Sequence, residues 1–314
     1  MSTHYYRFTR GAPHPQRSRL LEGLLARADG CSAVMDWRGD AFRAIAPKSI
    51  CMPGVAAAAL YADRGAVDGA SVYMATPVHY VAELNNVRLP QDGILSLLQV
   101  EADALAVDFN CVWNDAGIRM LAGRGAALFC AVDAALDAMT HDPEDVLDRH
   151  IENYLPSGAT APRLRQLMSE VEMWLFEHAV NRTRLSVGAA TVNGLWLWGG
   201  GPALRSLPAV DGWAVGEDPF FQAFAAQPER SRAEGSGWTA RAPSTSGVAV
   251  IAAVPGTDAW RDVESRWLER SVADLTSGRI TRLDLSAGNR VFSVGPRWSW
   301  RLWRRRRPWW ESFA

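Results

Sequence analysis

Between His178 and Gly201 the chain reads His-Ala-Val-Asn-Arg-Thr-Arg-Leu-Ser-Val-Gly-Ala-Ala-Thr-Val-Asn-Gly-Leu-Trp-Leu-Trp-Gly-Gly-Gly. His178, Asn181 and Arg184, with Arg182 beside them, fall at helical spacing and share or border one face. Asn193 follows, then a short apolar strand from Gly194 to Trp198 that stops on three glycines. A donor-rich group of this kind suits an oxyanion such as phosphate or carboxylate. Three glycines leave a backbone free to turn tightly or to approach a ligand closely. The plainer reading of the same residues is a helix–loop–strand unit with a polar rim, and spacing alone favours it.

The elements around this stretch must position it. Thr160 as N-cap and Pro162 in the first turn open a helix. Its apolar face runs through Leu164, Leu167, Met168, Val171 and Leu175 to His178, so its C-terminal end delivers the motif. Upstream, Ser71 to Leu89 alternates as strand with a turn at Asn85-Asn86, and His79 reads there as a half-exposed strand residue. Glu101 to Ala116 reads as a helix, and Ile118–Leu121 with Ala126–Cys130 as a hairpin around Gly123-Arg124-Gly125. Together these make an α+β module. The polar stretch from His141 to His150 matches no metal-ligand spacing and reads as a solvated helix beginning at Pro143.

On either side the pattern changes. Residues 1–17 read as loosely ordered. Leu20, Leu21, Leu24 and Leu25 argue a short amphipathic helix, and Pro53-Gly54 opens an alanine-rich helix that gives way to a loop at Tyr61–Gly65. After Gly201 come a strand at Trp213–Val215, a helix at Pro219–Ala226 and a linker at Gln227–Gly247. Then follow a buried strand at Val248–Val254, a helix from Asp258 to Ser277, and strands at Ile280–Leu285 and Val291–Val294. That order argues a layered α/β unit.

Composition narrows the class. The 314 residues, 48% hydrophobic and 21% charged, are those of a globular protein large enough for one large or two modest domains. The formal net charge of −1 excludes a general polyanion binder. Cys31, Cys51, Cys111 and Cys130 are widely spaced in apolar contexts, which predicts buried free thiols and a cytoplasmic location. No signal peptide and no apolar run long enough to span a bilayer is read. The last 18 residues interleave six arginines with five of the 14 tryptophans. Arg301, Arg304, Arg305, Arg306, Arg307, Trp303 and Trp309 are the candidate contacts with an anionic membrane surface or a nucleic acid. Docking of the tryptophans on the body, with the arginines solvated, ranks ahead of both.

The motif resembles the His-x-x-Asn-x-x-Arg…Gly…Asn-x-x-Trp-x-Trp-Gly-x-Gly pattern of the archaeal-type cofactor-independent phosphoglycerate mutases, of the alkaline-phosphatase-like superfamily. It is closer still to a shorter proteobacterial set known as phosphoglycerate mutase-like or RpfE-type regulatory proteins. The matching positions are His178, Asn181, Arg184, Gly188, Asn193, Trp196, Trp198, Gly199 and Gly201; Ala179 stands where the family has Pro. The resemblance extends over residues 50–201. It implies a reduced alkaline-phosphatase-like α/β core, formed by residues 1–70 (a helical part) and 190–296, with an α+β cap at 71–189 and a tail at 297–314. In the mutases a Pro-Gly-Ser-Asp segment carries the nucleophile and a Gly-Arg-Gly follows. This chain has Pro53-Gly54-Val55-Ala56 and Arg64-Gly65.

The family's metals are held by Asp and His from both ends of the chain. Here no apolar strand ending in Asp-Gly is read near the N-terminus, and no histidine follows His178. The resemblance therefore implies a non-catalytic cytoplasmic regulatory or binding protein with no catalytic residue, no metal ligand and no cofactor. It would take a small phosphorylated or carboxylated metabolite at Arg64, His178, Asn181, Arg184 and Asn193, with Trp196 and Trp198 as walls, and a protein partner is open. Two alternatives remain: an active metal-dependent mutase or phosphatase, and a structural body acting through its Arg/Trp tail.

Overall fold

The computed structural model describes residues 2–8, 17–34, 36–216, 218–225, 246–251, 263–300 and 304–312. It is a layered α/β protein of two compact units, one of Met1–Met52 with Pro208–Ala314 and the other of Pro53–Leu207. The expected breaks at 70/71 and 189/190 both fall inside the second unit. The reason lies in two elements, α3 (Val55–Arg64) and β9 (Gly194–Pro202), which pack on each other and on β3 (Ser71–Val78), so all three belong to the second unit.

In the first unit, β1 (Thr3–Phe8) lies inside a six-stranded sheet. Its parallel neighbours are β11 (Gly247–Ile251) and β12 (Arg282–Ala287). β10 (Trp213–Gly216) extends the sheet beyond β11, while β13 (Arg290–Val294) and β2 (Gly30–Ala33) add antiparallel strands beyond β12. The expectations of a loosely ordered stretch at 1–17 and of a helical part at 1–70 thus change over the described residues, where Thr3–Phe8 and Gly30–Ala33 are strands. The first strand was hidden because His4 and Arg7 break the apolar pattern and its partners lie more than 240 residues away. One face packs Tyr6, Phe8, Leu283 and Leu285 against Leu21, Leu24 and Leu25 of α1 (Arg19–Ala26). The opposite face is followed by α2 (Trp37–Ile45), and α7 (Pro219–Ala225) adds Phe220 and Phe224 around Phe42. A π-helical turn, Glu264–Leu268, leads into α8 (Glu269–Thr276). The predicted linker and the start at Asp258 lie outside the described residues, apart from Ser246 and Gly247 at the linker's end.

In the second unit a four-stranded antiparallel sheet runs β6-β7-β3-β9, with β6 at Ile118–Ala122 and β7 at Leu128–Val132. The helix α4 (Gln99–Trp113) and α5 (Ala161–Phe176) contribute Leu105, Phe109, Leu164 and Leu175 to its main core. A small sheet joins β4 (Val81–Ala82), β5 (Val87–Leu89) and β8 (Arg149–His150). Three local expectations change. The alanine-rich helix continues through Tyr61 to Arg64. The helix read at Pro143 is a single 3-10 turn, Pro143–Asp145, followed by β8. Thr160 precedes α5 without a side-chain cap.

All four cysteines are free, but Cys31, Cys51 and Cys111 are exposed and only Cys130 is buried, its thiol pushed up to about 12 by burial. Among the described residues no helix is long and apolar enough to cross a membrane.

Candidate functional site

The long helix does not carry His178. It ends at Phe176, and His178, with extended backbone (φ −67°, ψ 142°), is the N-cap of a second helix, α6 (Ala179–Ser186). Its Nδ1 accepts the backbone N–H of Val180 at 3.2 Å, satisfying one of the donors that every helix start leaves open. Because Nδ1 accepts, the ring proton resides on Nε2. Nε2 lies 3.2 Å from Asp108 Oδ2 of α4 without an aligned hydrogen bond. The Trp174 ring stands 4.5 Å from the imidazole, and His178 is 7% exposed. Burial lowers the His178 pKa below its usual value, against the opposing pull of Asp108, so the ring is neutral near neutral pH.

The rest of the motif is engaged inside the fold. Asn181 Nδ2 donates to the carbonyls of Leu175 and Val192, each at 2.7 Å, and its Oδ1 accepts from Val192 N–H at 2.8 Å. Arg184 Nε donates to the Ala190 carbonyl at 2.7 Å, and its NH1 meets both oxygens of Glu101 at 3.0 and 2.9 Å. Glu101 also reaches back to the Leu98 N–H at 2.7 Å, capping α4. Asn193 exchanges two hydrogen bonds with the backbone of Tyr80. Gly188, at φ +73°, closes α6 in the left-handed conformation that glycine adopts without strain.

Trp196 and Trp198 lie on the face of β9 opposite Leu195 and Leu197, as the period of two requires. Their indole N–H groups donate to the His141 carbonyl at 2.7 Å and to Thr76 Oγ1 at 2.8 Å. Arg64 shares no partner with the others: it donates to the Ala122 carbonyl and pairs with Asp63. The glycines do not end the strand either, since β9 continues to Pro202. A Cβ on Gly200 would lie 2.1 Å from the Tyr73 ring, and one on Gly201 would lie 2.8 Å from Gly54 Cα. They admit close packing of backbone and ring, not a ligand.

What stays open is a depression of about 660 Å³ lined by His178, Asp108, Arg182, Cys111, Trp174 and neighbours on α5 and α6. Arg182 NH1 donates to the Glu177 carbonyl at 2.6 Å at its edge. The sequence named His178 and Arg182 but gave no local signal for Asp108, which arrives from a helix about seventy residues earlier in the chain.

The metal pair that the resemblance implies is not matched by donors among the described residues. Among the described residues no three His, Cys, Asp or Glu side chains gather where an ion could sit. The described histidines lie apart: His4 against Ser271, His79 against the Thr191 carbonyl, His141 against the Tyr154 carbonyl, His150 against Glu83, and His178 at its cap. Val55, at the position where the resemblance would set a nucleophile, opens α3 and is 8% exposed, with its Cβ 2.9 Å from where a Cβ on Gly199 would stand.

No family model matches the chain. A segment of 67 residues, 21% of this chain, is 42% identical to a 2,3-bisphosphoglycerate-independent phosphoglycerate mutase of Methanothrix thermoacetophila, of which it spans 17%. A probable enzyme of the same description from Geobacter sulfurreducens is 40% identical over 63 residues, 20% of this chain and 16% of that protein. The match thus spans less than a fifth of these curated relatives. Among solved structures, the cofactor-independent phosphoglycerate mutase of Thermoplasma acidophilum aligns over 92% of this chain and 88% of its own, at 13% identity and a TM-score of 0.34. A protein of Pyrococcus horikoshii aligns over 94% and 87%, at 11% identity and a TM-score of 0.39. Over a short segment, then, the chain is homologous to the 2,3-bisphosphoglycerate-independent phosphoglycerate mutases.

Proposed function

We propose that this chain is a phosphoglycerate mutase-like protein that acts by binding and not by mutase chemistry, in a regulatory role. The observation that carries this reading is Val55: a buried, packed aliphatic side chain stands at the helix start where the resemblance puts the nucleophilic serine. The scattered histidines support it. The bound species is a small phosphorylated or carboxylated metabolite. Of the seven residues first proposed for it, His178 is the one that lines the depression, and Arg182 joins it there. An incoming anionic oxygen would take the place that Asp108 Oδ2 holds at 3.2 Å from Nε2. The test is thermal shift of the full chain with 3-phosphoglycerate and with inorganic phosphate. Wild type and Arg64→Gln should both be stabilised and Arg182→Gln should not. Absence of any shift in wild type would refute the pocket.

A second reading rests on the tail. Arg304–Arg307 are exposed side by side, while Trp309 and Trp310 are half-buried and Trp309 lies 6.4 Å from Phe8. Arg304 NH1 donates to the Ala28 carbonyl at 2.8 Å. The docked tryptophans fix a basic strip that fits an anionic surface; Arg301 and Trp303 lie outside the described residues. Salt-sensitive binding to anionic vesicles, lost on Arg305→Gln/Arg307→Gln, is the expected result.

A further inference from the structure

The sheet of the first unit has one apolar face and one that departs from the pattern a buried sheet needs. Opposite Tyr6, Phe8, Leu283 and Leu285, the strands place Tyr5 beside Asp284 and Arg7 beside Ser286 in register. All four are buried, at 2, 5, 7 and 0% exposure respectively. Burying such groups is unfavourable unless partners compensate. Arg7 has them: NH1 donates to Ser286 Oγ at 3.1 Å and to the Gly288 carbonyl at 2.7 Å, and its guanidinium stands 4.8 Å over the Trp37 ring. Tyr5 is served less well: its buried hydroxyl makes no aligned hydrogen bond, with the Ser286 hydroxyl beside it as its one nearby polar side chain to share.

Tyr5 and Asp284 line a cavity of about 390 Å³ whose rim carries Asp40 and Arg43 of α2 and Arg282 of β12. That volume lies toward the lower end of the ~300–1,000 Å³ usual for small-molecule sites. Arg282 Nε donates to Asp284 Oδ1 at 2.7 Å, and Arg43 pairs with Asp40. Both guanidiniums keep much of their surface in water, with side chains 54% and 70% exposed. Burial raises the Asp284 carboxyl above the usual carboxylate range, so its charged form gains from a nearby cation.

We propose that this trough binds a small zwitterion of the α-amino-acid class. Its ammonium lies between the Asp284 carboxylate and the Tyr5 hydroxyl, and its carboxylate meets the guanidiniums of Arg43 and Arg282. The rim and floor hold two carboxylates and two guanidiniums, so the site is balanced. A zwitterion keeps that balance, whereas a simple amine or a simple acid leaves one charge unanswered.

Calorimetric titration of the full chain with the common free L-amino acids, with ethylamine and with acetate decides the matter. At least one amino acid should bind while ethylamine and acetate do not. Tyr5→Phe removes only a hydroxyl without an aligned partner, so the unliganded melting temperature should change little while binding weakens by about tenfold. Asp284→Asn should abolish binding, and Arg182→Gln, in the other unit, should leave it unchanged. Failure of every amino acid to bind, or full binding by Tyr5→Phe, would overturn the proposal.

Discussion

Asn181 and Val192 exchange two hydrogen bonds, side-chain amide to backbone, at 2.7 and 2.8 Å. Through this pair the start of α6 holds the segment that feeds β9, and the second Asn181 N–H ties both to the last turn of α5 at Leu175. Three secondary-structure elements are fixed relative to one another by one amide that is 4% exposed.

Asn181→Ala leaves the Val192 carbonyl and N–H without their partner, while the Leu175 carbonyl keeps the His178 N–H at 3.1 Å. Each unsatisfied group costs roughly 1–3 kcal/mol, so a loss of about 3 kcal/mol is expected from urea unfolding of the second unit. Asn181→Asp should be nearly as damaging, because a carboxylate cannot donate to the two carbonyls.

Gly188 and Gly200 separate two uses of glycine. At Gly188 the φ of +73° is demanding, but nothing lies within 4 Å of an added Cβ, so Gly188→Ala should cost about 1 kcal/mol. At Gly200 the added carbon meets the Tyr73 ring at 2.1 Å. Gly200→Ala should cost about 3 kcal/mol or more, or prevent folding; Gly200→Ala/Tyr73→Ala should recover part of what the clash costs.

Glu101 has two duties, the ion pair with Arg184 and the cap on Leu98. Glu101→Ala removes both and leaves Arg184, 9% exposed, without its carboxylate. The expected loss is about 3–5 kcal/mol, against about 1 kcal/mol for Glu101→Gln if the cap survives.

The His178 pKa is lowered in the fold. The unfolded chain therefore binds the proton more readily, and the folded protein loses stability as pH falls below the ordinary imidazole value toward the depressed one. Above that window the term is constant. Urea midpoints measured from pH 8 to pH 5 should fall in wild type, and the fall should be shallower in His178→Gln.

Much of this was readable in the sequence, and the failures share a cause. Local periodicity located α1, α4, α5, the β6–β7 hairpin and the strands after residue 213. It missed β1, whose partners lie at the far end of the chain and whose polar alternation mimics loop. The motif from His178 to Gly201 was read for its donors, but residue type does not say which way a donor faces. Asn181, Arg184 and Asn193 turn to backbone carbonyls and the half-buried Glu101 carboxylate. A stretch dense in fixed residue types thus records the geometry of a cap, a left-handed stop, two amide staples and a close backbone approach.

The central claim is that the mutase-like frame is kept without the mutase reaction. Interconversion of 3- and 2-phosphoglycerate by the full chain, with manganese, magnesium or zinc supplied, tests it most directly. No turnover above buffer is predicted for wild type, and none for Val55→Ser. Metal-dependent turnover that a chelator abolishes would contradict the account.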